Sequence, residues 1–376
     1  MSVRKRQWKT RLGEDKEAWI VDYVDGEGAR HIKTFDRKKE ADAYHATVTV
    51  DVSKGTHTPA HRSLTVAEAA EVWIKRVEAD GRERSTTRQY RQHVNLHINP
   101  RLGATKIANV NVPRVEAFRD SLLDPEKGLS RPMARKVLTS LKSLLKSVGH
   151  AHVGAGVSIK RDKRKRKLEI GRDIPTPQEV KRLIEAATRP RDRALLLTVA
   201  LMGLRASEIR GLAWRYVGLP AGELHVRQRA DRFNVIGPPK SEASTRDLPI
   251  PPETLHALKV WKLECPPNEE DLVFPTSTGN IEHHSNMLRS LAPVLVDAGL
   301  VDGAGEPKYA LHAFRHFYAS WCINPRSRGG RQLPPKEVQE LMGHSSIVMT
   351  LDLYGHLFPR SDDTAELAAA SRALFA

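Results

Sequence analysis

The sequence predicts a multidomain, mainly α-helical protein. We expect a small α+β N-terminal domain (residues 1–60), a helical second domain (63–158), a basic linker (159–172) and a mainly α-helical C-terminal domain with a small antiparallel sheet (173–376). Three observations predict this. The length of 376 residues suits two or three domains. Short alternating stretches are typical of strands, and apolar residues elsewhere recur at helical spacing behind N-cap signals.

The composition excludes several classes of protein. An apolar fraction of 40% is enough for hydrophobic cores. No stretch approaches ~18 uninterrupted apolar residues and the N-terminus lacks an apolar signal region, so no membrane association is expected. The only cysteines are Cys265 and Cys322, which favours a reducing cytoplasm over a disulfide framework.

The charge is unevenly distributed. The net charge of +16 and the pI near 9.9 indicate a polyanionic partner. The net charge is +3 in residues 1–62, +7 in residues 63–158, +6 in residues 159–172 and zero in residues 173–376. We therefore expect the N-terminal half to supply the electrostatic contact with nucleic acid, and the C-terminal half to have another role.

The N-terminal domain is predicted to be a small sheet backed by a helix. Strands are expected at residues 8–12 (WKTRL), 18–24 (AWIVDYV) and 27–35 (EGARHIKTF), with a helix over residues 37–55. Such a sheet can present one face to a DNA groove. A small oligomerisation module is the alternative.

The second domain is predicted to be mostly helical. Thr65 and Glu68 form a capping box that opens the first helix. Ser85 can cap the next helix, which Pro100 and Gly103 are expected to end.

Two further helices and a linker complete this half of the chain. The helices are predicted at residues 112–123 and 130–148, and their polar faces are rich in arginine and lysine. Phosphate contact is favoured over simple solvation because the charge on these faces is one-sided. The run KRDKRKRK at residues 160–167 suits a solvated linker that can also lie on DNA, and a nuclear targeting signal would look the same.

The C-terminal domain is predicted to be helical around a small sheet. Thr176 is the expected N-cap of its first helix, with Pro177 at the first helical position and Glu179 completing a capping box. A buried helix is expected at residues 191–204, and ELHVR, RFNVI and TRDLPI are expected to be strands. Further helices are predicted at residues 251–263, 285–299, 311–323, 335–343 and around Tyr354.

Several residues of this domain suit chemistry on a phosphodiester. Cleavage without metal or water needs a nucleophile, positive groups on the non-bridging oxygens and a proton for the leaving oxygen. Arg205 offers a phosphate-binding fork, and an ion pair with Glu208 is an equally weighted alternative. His312 and Arg315 share one helical face. A metal site at His312 and His316 is not expected, because no catalytic glutamate separates them and no carboxylate cluster lies nearby.

Three more residues complete the candidate set. Lys240, in the turn between the second and third strands, can protonate a leaving oxygen or is simply exposed. His344 follows a helix break at Gly343. Tyr354 is either a core residue or a nucleophile, and its phenol, with a reference pKa of about 10, must then lose a proton as it attacks.

The order of these residues resembles the tyrosine recombinase (phage integrase) family. The resemblance is carried by Arg205, Lys240, His312, Arg315, His344 and Tyr354 and by the motifs GLRASEIRGLAW, LHAFRHFYAS and LMGHSSIVMTLDLYGHL. It covers the whole chain. Residues 1–60 are similar to the family's arm-type DNA-binding domain, residues 63–158 to its core-binding domain and residues 173–376 to its catalytic domain.

The resemblance implies the tyrosine recombinase fold and a mechanism without cofactor or metal. The tyrosine attacks the scissile phosphate, forms a 3′-phosphotyrosyl bond and releases a 5′-hydroxyl. The implied partners are double-stranded DNA with core-type and arm-type sites, a homotetramer on that DNA, and DNA-bending and directionality accessory proteins, in the bacterial cytoplasm. The implied roles are phosphate binding for Arg205, Arg315 and His344, leaving-group protonation for Lys240, assistance in proton transfer for His312 and positioning for Glu208.

Two segments depart from this pattern or extend it. Arg315 and His344 are separated by 28 residues, a longer gap than the family suggests, and residues 324–335 (NPRSRGGRQLPP) are the expected insertion. It is predicted to contact DNA, a neighbouring subunit or only solvent, without disturbing the flanking helices. The tail TAELAAASRALFA is predicted to be an amphipathic helix with Leu367, Leu374 and Phe375 on its apolar side, packed on an adjacent protomer or on its own domain.

The predicted function is integration of phage or mobile-element DNA. The alternatives are an Xer-like chromosome resolvase or a type IB topoisomerase, and a non-catalytic DNA-binding regulator. The extra N-terminal domain argues against the first pair. The complete catalytic set argues against the regulator.

Overall fold

The chain forms two compact units, Met1–Arg164 and Lys165–Ala376. The computed structural model describes residues 2–9, 15–25, 28–53, 63–160, 167–358, 368 and 371–375. Most of the predicted basic run and most of the predicted C-terminal tail helix lie outside these residues. The division of the first unit into an N-terminal and a core-binding domain stays a prediction.

The first unit begins with an antiparallel sheet and a helix. The strands β1 (Ser2–Lys9), β2 (Asp15–Val24) and β3 (Arg30–Phe35) lie in that order, and α1 (Lys38–Ser53) follows. Val21 and Tyr23 of β2 and Ala41 and Val48 of α1 are buried in one cluster.

The predicted first strand, residues 8–12, is described only at Trp8 and Lys9, and both belong to β1. The strand begins earlier than predicted, since it pairs from Ser2 opposite Asp22 to Lys9 opposite Asp15. Residues 10–14 are outside the described residues.

The rest of the first unit is helical. Its helices are α2 (Val66–Ala79), α3 (Arg84–His93), α4 (Asn99–Leu102), α5 (Val112–Leu122), α6 (Arg131–Ser147) and α7 (Ala151–Ala155). Their apolar faces form one core, to which α2 and α6 contribute most. The predicted capping box at Thr65 and Glu68 is confirmed, with the Thr65 side chain accepting from the Glu68 N–H at 3.2 Å.

One predicted helix boundary in this region was wrong. Ser85 lies inside α3, whose N-cap is Glu83, and its hydroxyl donates to the Glu83 carboxylate rather than capping the backbone. The predicted helix end at Gly103 is confirmed, because Gly103 is the C-cap, although Pro100 itself lies inside the last turn. A π turn at Val94–Ile98, in which the Asn99 N–H donates to the Val94 carbonyl, carries the helix on to Leu102.

The second unit is a helical domain around small sheets. Its helices are α8 (Pro177–Ala186), α9 (Pro190–Met202), α10 (Ala206–Arg210), α11 (Pro252–Glu264), α12 (His284–Asp297), α13 (Leu311–Ile323), α14 (Pro335–Met342) and α15 (Ile347–Tyr354). Helix α9 lies in the middle of the core, and nine of its thirteen residues are buried. The capping box at Thr176 and Glu179 is confirmed. The predicted mainly α-helical fold class is therefore confirmed.

The sheets of this unit are short. Strands β4 (Val217–Gly218), β5 (Glu223–Val226) and β8 (Arg246–Pro249) form one antiparallel sheet, and β6 (Arg229–Ala230) pairs with β7 (Ile236–Gly237). The prediction of a strand over RFNVI was largely wrong. Asn234 has a φ of 60° and the Asp231 carboxylate accepts from the N–H groups of Phe233 and Val235, so these residues form the β6–β7 turn.

The predicted insertion is an ordered connection between α13 and α14. Its backbone folds back on the end of α13, where the Leu333 N–H donates to the Cys322 carbonyl at 2.8 Å. The Trp321 indole N–H donates to the Gly329 carbonyl at 2.9 Å. Both flanking helices are intact, as predicted. Among the described residues, no helix is long and apolar enough to cross a membrane.

Candidate active site

Arg205 lies where α9 ends and α10 begins. Helix α9 ends at Gly203, whose φ of 62° is left-handed. An added Cβ there would lie 2.2 Å from the Tyr318 ring, so the break requires glycine. Arg205 is the N-cap of α10, and its backbone N–H donates to Glu208 Oε2 at 2.9 Å. The break between the two helices therefore places the backbone of Arg205 within hydrogen-bond distance of the Glu208 carboxylate.

The Arg205 guanidinium joins three parts of the domain. Nη1 donates to Glu208 Oε1 at 2.6 Å and to Ser244 Oγ at 3.1 Å, and Nη2 donates to the Gly343 carbonyl at 2.6 Å. The side chain is still 30% exposed. The ion pair that the sequence offered as an alternative is thus present, and the same guanidinium remains accessible to a ligand.

Glu208 is buried between two arginines. Its second oxygen accepts from Arg246 Nη2 at 2.9 Å. Burial opposes ionisation, but the charges of Arg246, Arg205 and Arg315 outweigh it and hold the pKa of Glu208 at about 2. Arg246 also donates to the Leu341 carbonyl at 2.8 Å, so the anion organises both the site and the junction of β8 with α14.

Arg315 lies in the middle of α13 and is buried. Its guanidinium donates to the carbonyls of Gly203 and Met342, which end α9 and α14. Burial, and then the charges of Arg205 and Arg246, lower the pKa of Arg315 to about 9. The side chain is therefore still cationic at neutral pH.

His344 follows the end of α14. Gly343, with a φ of 60°, ends the helix as predicted. The Nδ1 atom of His344 lies 2.9 Å from Thr350 Oγ1. Burial, and then the charges of Arg315 and Arg205, lower the pKa of His344 to about 3, so its ring is neutral at physiological pH.

Tyr354 is the last residue of α15, and only 1% of it is exposed. Its Oη lies 2.7 Å from Nδ1 of His316, and its ring is nearly parallel to that of His344, with centroids 6.3 Å apart. Burial raises the pKa of the phenol to about 12, against the opposing charge of Arg315. The hydroxyl therefore keeps its proton in this state.

Two predicted residues lie at the edge of this group. Lys240 is exposed on the β7–β8 connection. Ser241, the next residue, has its Oγ 2.9 Å from that of Ser244, which accepts from Arg205. Burial, and then the nearby arginines, lower the pKa of His312. The structure thus groups Arg205 with the loop that carries Lys240.

Sequence reasoning missed four residues of this group. They are Ser244, Arg246, His316 and Thr350. A signal existed for Arg246, which alternates with Leu248 on the buried side of β8 and is therefore an inward-facing charge. The sequence pattern presents His316 only as a possible metal ligand beside His312. Within the described ranges, no group of three or more His, Cys, Asp or Glu side chains could hold a metal ion.

Comparison with known proteins gives a consistent family. Residues 175–360 match the model of the phage integrase family. The chain is 26% identical to a protein named tyrosine recombinase XerC-like from Caldanaerobacter subterraneus subsp. tengcongensis, over 87% of this chain and 88% of that protein. It is 25% identical to the ICEBs1 integrase of Bacillus subtilis, over 79% of this chain and 80% of that protein.

Solved structures show the same fold. The Tn1549 transposon integrase in complex with transposon right-end DNA has a TM-score of 0.63 at 19% identity, covering 82% of this chain and 99% of that chain. A lambda integrase dimer bound to a core site has a TM-score of 0.55 at 16% identity, covering 95% of both chains. Family match, relatives and fold agree, and the chain belongs to the phage integrase family of tyrosine-type site-specific recombinases.

Proposed function

We propose that this chain is an integrase that cleaves and rejoins double-stranded DNA through a 3′-phosphotyrosyl intermediate, inserting phage or mobile-element DNA and excising it with accessory factors. One observation carries the proposal. The charge of Arg315 acts on the phenol of Tyr354, and the charges of Arg315 and Arg205 act on the neutral ring of His344, which is stacked on Tyr354. This arrangement suits a tyrosine that attacks a phosphate held by fixed positive charges.

Arg205 and Arg315 are assigned to the non-bridging oxygens of the scissile phosphate. Both guanidiniums now donate to backbone carbonyls, which a phosphate oxygen can replace as the acceptor. Glu208 fixes Arg205 from the side that faces the protein. The pair thus offers rigid donors at the point where negative charge develops.

His344 is assigned as a neutral hydrogen-bond donor to the same phosphate. Its Nδ1 faces the Thr350 hydroxyl. When that hydroxyl donates to Nδ1, the ring proton resides on Nε2, which can then donate to a phosphate oxygen. The low pKa of His344 supports this assignment, because a neutral ring carries a single N–H.

Lys240 is assigned to protonate the leaving oxygen, and His312 to assist proton transfer. Lys240 is exposed on a connection whose Ser244 contacts Arg205, so its long side chain can reach a phosphate bound there. His312 lies on α13 one turn before His316, and these two rings have centroids 4.6 Å apart. We assign it an assisting role.

The binding partners follow from the charge distribution and from the relatives. All the excess positive charge lies in residues 1–172, which we assign to arm-type and core-type DNA contacts. The Tn1549 and lambda integrases were solved on DNA, the latter also as a tetramer on a Holliday junction. We propose the same assembly here, with DNA-bending and directionality proteins, in the bacterial cytoplasm.

The nucleophile is tested with a nicked suicide substrate. The core site is first selected from a random DNA library by the full-length protein. A nick on the 3′ side of the cleavage position then lets the short fragment that carries the released 5′-hydroxyl diffuse away. Wild type should accumulate a covalent adduct and Tyr354→Phe should form none. Tyr318→Phe is the matched control, because that buried phenol belongs to the same cluster and should keep the adduct. An adduct in Tyr354→Phe, or none in wild type, would overturn the proposal.

The XerC-like relative favours a second candidate, a chromosome resolvase. Deleting residues 1–60 separates the two. An integrase should lose recombination between paired sites but keep cleavage of the core site. Unchanged recombination would support the resolvase.

A further inference from the structure

The Tyr354 hydroxyl contacts a histidine outside the phosphate-binding set. His316 Nδ1 lies 2.7 Å from Oη, and the two rings meet at 62° with centroids 5.7 Å apart. A ring nitrogen, rather than a ring face, therefore points at the hydroxyl. His316 follows Arg315 directly on α13, so the residue that holds the phosphate and the residue that contacts the tyrosine share one rigid helix.

The other two histidines are less suited to receive the phenol proton. The ring of His344 is stacked parallel to Tyr354 at 6.3 Å, and its Nδ1 is engaged by Thr350. The ring of His312 packs edge-on against His316, with an interplanar angle of 80°. Geometry therefore selects His316 among the three.

We propose that His316 is the general base of the reaction and takes the proton of Tyr354 Oη on its Nδ1 as the phenol attacks. This rests on the proposed function, since it assumes that Tyr354 is the nucleophile. The Oη–P bond forms, the P–O5′ bond breaks, the phenol proton moves to His316 and the leaving oxygen takes a proton from Lys240. In rejoining, the 5′-hydroxyl returns its proton to Lys240 and the phenol recovers its own from His316.

A base is needed because the phenol ionises poorly here. With a pKa of about 12, roughly one Tyr354 in ten thousand is ionised at pH 8. A positioned base removes this penalty in the transition state, and such bases typically contribute about 10²–10⁴ in rate.

The bound phosphate strengthens the base. Burial, and then the charges of His312 and Arg315, lower the pKa of His316 to about 4 in the DNA-free protein. A phosphate anion on Arg315 offsets the nearest positive charge, so His316 gains proton affinity only when substrate is bound. The titratable and charged groups that face His316 are His312 and Arg315 on its own helix, Asp173 before α8, His344 after α14 and Tyr354 on α15.

The proposal is tested with His316→Asn in the full-length protein. The asparagine Oδ1 can accept near the Nδ1 position but has no useful proton affinity. Single-turnover adduct formation on the nicked core site is measured from pH 6 to 9 for wild type and variant. We expect the wild-type rate to be level above neutral pH. The variant should be about 100-fold slower at pH 7.5 and rise about tenfold per pH unit, because its phenol must lose the proton to solvent.

The controls separate the possible outcomes. His356→Asn is the matched variant, because His356 lies two residues after Tyr354 and its Nε2 hydrogen-bonds the Leu168 carbonyl at 2.8 Å. Its rate of adduct formation should stay independent of pH, as in wild type. If circular dichroism shows that His316→Asn does not fold, His316→Gln is assayed with the same expected slope. A His316 variant that keeps a level profile, or a rate within threefold of wild type, overturns the general base. An adduct in Tyr354→Phe instead overturns the proposed function.

Discussion

Replacing Glu208 with glutamine tests how the site holds its arginines together. Glu208 is 2% exposed and accepts from Arg205 at 2.6 Å and from Arg246 at 2.9 Å. Glutamine keeps the shape of the side chain and removes its charge. The two guanidiniums, and Arg315 behind them, then repel one another without a buried counter-charge.

The magnitude follows from the pKa of the carboxyl. It is lowered from an ordinary 4.5 to about 2, and each unit corresponds to about 1.4 kcal/mol, so the charge contributes about 3 kcal/mol to folding. Breaking a buried ion pair by removing one partner gives a similar range of about 3–5 kcal/mol. A lowered pKa means that this stability is complete above about pH 4.5 and disappears as the pH falls towards 2. The deficit of Glu208→Gln should therefore be constant from pH 8 to 5 and shrink in acid.

Urea unfolding followed by tryptophan fluorescence measures this deficit. Glu185→Gln is the control, because its carboxylate is 61% exposed and 3.9 Å from Lys181 Nζ, and it should change the stability by less than about 0.5 kcal/mol. A Glu208→Gln protein within about 1 kcal/mol of wild type at pH 7 would refute the electrostatic argument. So would a deficit that grows as the pH is lowered.

Two further substitutions and one labelling experiment have defined outcomes. Gly343→Ala should lower the melting temperature and the adduct yield, because φ is +60° and an added Cβ would lie 2.9 Å from Arg246 Nη1. An unchanged melting temperature would contradict this. Thr350→Val should lower the free energy of unfolding by about 1–3 kcal/mol, because it removes the buried hydrogen-bond partner of His344. A urea unfolding midpoint equal to that of wild type would argue against this. Cys322 should react with a disulfide reagent at pH 8 only after the protein unfolds, because burial raises the pKa of its thiol to about 11. Fast labelling of the native protein would show that the thiol is not protected.

The local features of the fold were predictable because short-range chemistry determines them. The capping boxes at Thr65 and Thr176 need only residues three positions apart, and both occur where predicted. The break at Gly343 likewise depends on one residue that tolerates positive φ. Five of the predicted helices of the C-terminal domain, α8, α9, α11, α12 and α13, run for ten or more residues, which is long enough for an apolar pattern to be read from the sequence.

Other features depend on neighbours that are distant in sequence. Ser85 is a local exception: Glu83, two residues earlier, is the N-cap, and its carboxylate accepts from the Ser85 hydroxyl. The contact of His316 with Tyr354 spans 38 positions, and that of Arg246 with Leu341 spans 95. No local pattern specifies such pairs. The motif order identified the phosphate-binding candidates, whereas the partners of those candidates required the folded chain.

The charge of the site explains how a domain with no net charge can act on a polyanion. The three guanidiniums of Arg205, Arg246 and Arg315 oppose the single carboxylate of Glu208, which leaves two positive charges in a buried place. The histidines add none, because burial and the arginines keep their pKa values low. Under the proposed function, a phosphodiester brings one negative charge and gains a second as the tyrosine oxygen bonds to phosphorus. The two fixed positive charges therefore lie where that second negative charge develops, and general DNA affinity is left to the basic first half of the chain.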